Sequence, residues 1–130
     1  MLIERIEGKW IDAFVDVFKL CRVARGDAVA ILSETQSRPV LVQLSELALH
    51  RLGARAYHLV LPTPPQRHGI PVRSTGTCLA IDGLQPVVTA LAASTMVVDC
   101  TVEGMLHAAE LKAILQGGAR LMMISNEHPE

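Results

Sequence analysis

A chain of 130 residues has the length of one domain, with room for a core that folds without disulfide staples. Half of the residues are hydrophobic and 19% are charged, which excludes a disordered tail or a polar linker. Twelve basic against thirteen acidic residues leave a formal charge of -1, and aromatics are 3% of the chain. That composition argues against nucleic acid as a partner, because it offers neither a Lys/Arg cluster nor a stacking platform.

The first periodic stretch, residues 10–21, predicts a helix with Ile11, Phe14, Val15 and Phe18 on one face, broken at Arg25-Gly26-Asp27. Residues 28–32 form a continuous apolar run with β-branched members, the pattern of a strand buried on both faces. Ser37 ahead of Pro39 signals a helix start. That helix carries Leu41, Leu44, Ala48 and Leu52 as a stripe and stops at Gly53. A second strand is expected over 55–61, ended by Pro62.

Residues 62–76 hold four prolines and two glycines without periodicity, an irregular excursion of the kind that often carries function. Beyond it a helix is expected over 85–93 with Pro86 near its first turn, then a strand over 95–100 centred on Met96-Val97-Val98. A helix over 105–115 with Leu111, Ile114 and Leu115 inward ends at Gly117-Gly118, and a last strand covers 121–125.

This alternation predicts an α/β fold: a flavodoxin-like parallel sheet of about four strands, order 2-1-3-4, with helices on both faces. No closing helix follows the last strand, and the apolar fraction is high. The expectation is a single α/β domain over 1–130, the N-terminal domain of a longer chain or a subunit that buries surface in an oligomer. Residues 1–7 carry acids where a secretory signal would be apolar, and no apolar run approaches the roughly 20 residues of a membrane span. With Cys21, Cys78 and Cys100 read as buried reduced thiols, and no C-x-x-C present, a soluble cytoplasmic protein is expected.

Ligands of open parallel sheets sit beyond the carboxyl ends of the strands, at the topological switch point. That edge should gather Ser33, Glu34, Thr35 and Gln36 after the first strand and Asp99, Thr101, Glu103 and His107 after the third. Asn126, Glu127 and His128 should join them after the fourth. G-x-G-x-x-G, the P-loop and G-x-S-x-G are absent, so Ser33 and Ser125 read as strand-end caps and no cofactor-binding residue is assigned.

His50, His58 and His68 show no metal-ligand spacing, and no metal ligand is assigned in this chain. His107 is expected in the first turn of the helix after the third strand, with Asp99 and Glu103 nearby. There an imidazole either exchanges a proton with a bound ring hydroxyl or merely fills the loop.

Lys19-Leu20-Cys21-Arg22-Val23, Val29-Ala30-Ile31-Leu32, Leu59-Val60-Leu61-Pro62 and Val97-Val98-Asp99 occur in this order. Met105-Leu106-His107, Ala113-Ile114-Leu115, and Glu127 with Pro129-Glu130 follow them. Together they resemble the N-terminal region of the 2,5-dihydroxypyridine 5,6-dioxygenase family, which shares its general fold with the aminopeptidase T type of metallo-aminopeptidase.

The resemblance implies a non-haem iron enzyme that opens a hydroxylated pyridine, or a similar small aromatic, with dioxygen. The iron(II) ligands would lie in a C-terminal domain outside this chain, and a family active-site histidine falls on His107, giving it a catalytic role. Implied partners are the aromatic substrate and the protein's own C-terminal domain or another protomer of a homo-oligomer. The alternatives are the N-terminal domain of a metallo-aminopeptidase and a non-catalytic ligand-binding or oligomerisation module.

Overall fold

The computed structural model of the chain describes residues 5–65, 76–124 and 129. Four strands, β1 (Ala28–Glu34), β2 (Arg55–Leu61), β3 (Met96–Asp99) and β4 (Arg120–Met123), form one sheet in the order β2-β1-β3-β4. Every neighbouring pair is parallel, as expected. The helices are α1 (Gly8–Leu20), α2 (Pro39–Arg51), α3 (Gln85–Ala93) and α4 (Leu111–Gln116), with a 3-10 turn at Leu79–Ile81 ahead of α3.

The period of two along a strand sorts the core into two layers. Val29 and Ile31 of β1 and Met96 and Val98 of β3 face Phe18 of α1 and Leu41, Leu44 and Leu49 of α2. Ala30, Leu32 and Val97, from the opposite face, pack with Ile81, Val88, Leu91 and Ile114. Both central strands are thus buried on both sides, which is why they read as unbroken apolar runs. The outer strand β2 has its N-H and C=O row paired on β1 alone, and most of its side chains are half-buried or exposed.

Three details depart from the sequence reading. Ser37 is not the cap of α2, whose N-cap is Arg38. Its hydroxyl accepts the N-H of Glu34 at 2.8 Å and donates to the carbonyl of Cys100 at 2.6 Å, so it closes the turn after β1 onto the end of β3. The last helix begins at Leu111 rather than 105, because the intervening backbone runs in turns, Ala108 N-H to Met105 O and Leu111 N-H to Ala108 O. Its inward side chain is Ile114, while Leu115 is exposed. Finally, Cys21 is only half-buried, although Cys78 and Cys100 lie in the core as expected.

The chain is fastened at long range by Arg120, which opens β4 and donates through its guanidinium to the carbonyls of Cys21 and Arg22 at 2.8 and 3.1 Å. Those carbonyls belong to the turn that ends α1, where a cation also suits the helix dipole. No helix among the described residues is long and apolar enough to cross a membrane.

Gly117, the residue that caps α4, lies close against the end of α3. A Cβ there would lie 2.6 Å from the carbonyl oxygen of Ala92 and 2.7 Å from its Cβ. Gly117→Ala should therefore part α3 from α4 and lower the unfolding free energy by about 1–3 kcal/mol. Gly8→Ala, in open space at the start of α1, should be neutral or slightly stabilising. Urea denaturation of both variants checks the pair. Equal midpoints would contradict the close approach.

Candidate functional site

The carboxyl edge of β1 and β3 is organised by two buried carboxylates. Asp99, the last residue of β3, is fully buried. Its Oδ1 accepts the N-H and the hydroxyl of Thr101 at 2.9 and 2.5 Å, and its Oδ2 accepts the N-H of Met105 at 2.9 Å. The Thr101 hydroxyl in turn accepts the N-H of Gly104 at 3.1 Å. Glu34, the last residue of β1 and 5% exposed, reaches across to accept the N-H of Val102 through Oε2 at 2.7 Å. Both side chains point into the loop after β3, where Asp99 accepts two backbone N-H groups and the Thr101 hydroxyl, and Glu34 accepts the Val102 N-H and also bonds the side chain of Thr63.

Burial pushes the carboxyls of Glu34 and Asp99 above the ordinary range, against the hydrogen bonds that lower them. For Glu34 the charges of Asp99 and Glu103 add to the rise. Burial also raises the Cys78 thiol, helped by the charge of Glu34, and pushes Cys100 up to about 12. Neither thiol is an activated nucleophile.

On the other side, Thr35 and Thr63 tie the end of β1 to the end of β2. Thr35 N-H donates to Leu61 O, Thr63 N-H to the Thr35 hydroxyl, and Gln36 N-H to the Thr63 hydroxyl. Of the expected edge residues, then, Glu34, Asp99 and Thr101 converge. Thr35 and Gln36 turn instead toward β2, and Ser33 is buried within β1. Asn126, Glu127 and His128 lie outside the described residues, as do Ser125, His68 and Glu130.

His107 emerges from this braced loop. It sits in a turn ahead of α4 rather than in the helix, and both it and Leu106 are exposed. The loop is gripped from outside by Gly76, whose N-H donates to Glu103 O at 2.8 Å and whose carbonyl accepts His107 N-H at 2.6 Å. Thr63, Gly76 and Cys78 were not among the expected site residues. Thr63 stands two residues past a strand end, a usable signal, but nothing in the sequence around Gly76 marks its contact with a loop about thirty residues away.

Among the described residues, no three of His, Cys, Asp and Glu gather in a way that could hold a metal ion. The nearest candidates, Asp99 and Glu34, are committed to the loop backbone. The described residues do not fit an iron site. His50 is exposed on the last turn of α2, and His58 pairs with Glu46 at 2.9 Å on the exposed side of β2.

A family described as 2,5-dihydroxypyridine 5,6-dioxygenase (NicX) matches residues 9–130. A 2,5-dihydroxypyridine 5,6-dioxygenase of Pseudomonas putida KT2440 is 33% identical over 119 residues, which are 90% of this chain and 33% of that protein. The solved structure of a 2,5-dihydroxypyridine dioxygenase from the same strain superposes with a TM-score of 0.83 at 28% identity. That superposition covers 96% of this chain and 36% of the other. The chain spans about a third of the length of these relatives.

The raised carboxyl of Glu34 makes a prediction with a definite sign. The native state holds the proton more tightly than the unfolded chain does. Its stabilising contribution is therefore present below the ordinary glutamate pKa of about 4.3 and is lost as pH rises through the native value. Glu34→Gln keeps an oxygen for Val102 N-H but cannot ionise. Urea midpoints of variant and wild type should coincide near pH 4 and separate in favour of the variant toward about pH 8. Parallel curves across that range would refute the shift.

Proposed function

The chain belongs to the 2,5-dihydroxypyridine 5,6-dioxygenase family, and on that premise we propose that it is the N-terminal domain of a ring-cleaving dioxygenase acting on a hydroxylated pyridine or similar aromatic. The observation that carries this reading to a residue is the place of His107: exposed, at the switch-point edge, on a loop whose backbone two buried carboxylates hold. Imidazole is the side chain that exchanges protons near neutral pH. Here it takes a proton from, or shares one with, a hydroxyl on the substrate ring, while the exposed Leu106 beside it offers apolar surface to the ring itself.

Iron(II) would be the reactive metal of the whole protein. The described residues of this domain provide no ligand set for it, so the reading assigns its ligands to the polypeptide beyond this domain. The greater length of the relatives supports such a further domain. The high apolar fraction supports burial of its surface against that domain or against another protomer of a cytoplasmic homo-oligomer.

His107→Ala in the full-length protein should lower the rate of 2,5-dihydroxypyridine ring opening about a hundred-fold while bound iron and the melting temperature stay unchanged. Steady-state kinetics, metal analysis and a thermal melt on one sample measure all three. Unchanged turnover per iron would reduce His107 to a loop residue. Release of amino acids from peptides without consumption of the pyridine would favour the aminopeptidase alternative.

A further inference from the structure

Gly76 is buried against the loop of His107. Its two backbone bonds hold that loop at two points, Glu103 O and His107 N-H. Its φ of +74° lies in the left-handed region that L side chains rarely adopt. A Cβ at this position would stand 3.0 Å from Cδ2 of the His107 ring and 3.3 Å from Cβ of Leu106. It would also lie 3.6 Å from the His107 nitrogen. Any side chain would thus be pinched between the ring on one side and Leu106 on the other, and the imidazole, being exposed, is the group free to yield.

We propose that Gly76 is a positioning residue for His107: its backbone fixes where the imidazole is attached, and its missing side chain leaves the space that lets the ring hold one orientation. This rests on the proton-transfer role of His107 argued above. Two restraints act together. The hydrogen bonds tie the loop to Gly76, and the bare Cα sets how closely the ring can lie against the Gly76 backbone. Proton transfer is sensitive to such placement, since a displacement of about 1 Å can cost on the order of a hundred-fold in rate. Glycine answers both needs at once, because the same residue must adopt positive φ and present no Cβ to the ring.

The test compares Gly76→Ala, Gly76→Asn, His107→Ala and the Gly76→Asn/His107→Ala double variant in the full-length protein, with 2,5-dihydroxypyridine as substrate. Asparagine tolerates the left-handed conformation better than alanine does, so it relieves the backbone while keeping the Cβ against the ring. Both glycine variants should lose about ten-fold or more in kcat. KM should change less than about two-fold, the mark of an interaction realised in the transition state.

In the His107→Ala background the Gly76→Asn change should cost nothing further, because the ring it displaces is gone. A residue serving only the fold would instead give additive losses. Additive losses, full turnover in folded Gly76→Asn, or failure of both glycine variants to fold would each overturn the inference. If His107→Ala itself keeps full turnover, the proton-transfer reading fails and the inference falls with it. If His107→Ala loses turnover while Gly76→Asn keeps it, only the inference fails.

Discussion

Asp99 ends a buried strand with a side chain that has no access to water, yet both of its oxygens are satisfied. A carboxylate taken out of water without donors costs several kcal/mol, whereas each hydrogen bond to a charged group returns about 1.5–3 kcal/mol. The backbone from Thr101 to Met105 is therefore obliged to turn its N-H groups inward around Asp99. Any other path for the loop would strand the carboxylate. Glu34 imposes the same condition from the neighbouring strand through Val102, so one short loop is held by acids from β1 and β3 together.

That arrangement depends on the order of the sheet. Because β1 and β3 are adjacent, their last residues meet, and Ser37 can join the turn after β1 to the carbonyl of Cys100. Threonines 35 and 63 do the corresponding work toward β2. The edge becomes a platform whose polar groups are largely turned inward, leaving His107 and Leu106 exposed on its surface. A group that exchanges protons with a substrate gains from this kind of support, since its placement is set by packed neighbours rather than by a free loop.

The strands and the first three helices were legible from their apolar patterns and from bounding residues with strong local preferences. Pro62 closes β2 and Pro86 opens α3, and the bounds of both elements agree with the pattern of the sequence. The last helix was legible at its end but not at its start. The apolar spacing from Met105 onward fits a helix, but the N-H of Met105 belongs to Asp99, and the turns at Ala108 and Leu111 delay the first helical residue.

Ser37 with Pro39 marked the start of α2 correctly, but the Ser37 hydroxyl bonds the carbonyl of Cys100 rather than capping the helix. Topology predicted that Glu34 and Asp99 would meet, whereas their use as braces, rather than as groups facing a ligand, depends on burial that no local pattern reveals. The placement of Gly76 against His107 is a contact between distant segments and leaves no trace in either one.

Hydrogen exchange at the amides of Thr101, Val102 and Met105 tests most directly whether buried carboxylates hold this loop. The account predicts protection close to that of the β3 amides in the wild-type protein. In Asp99→Asn, whose amide nitrogen cannot accept, Met105 should lose that protection while the β3 amides keep theirs. Exchange of the loop amides at the rate of an unstructured peptide in the wild type, or protection of Met105 that survives the substitution, would contradict it.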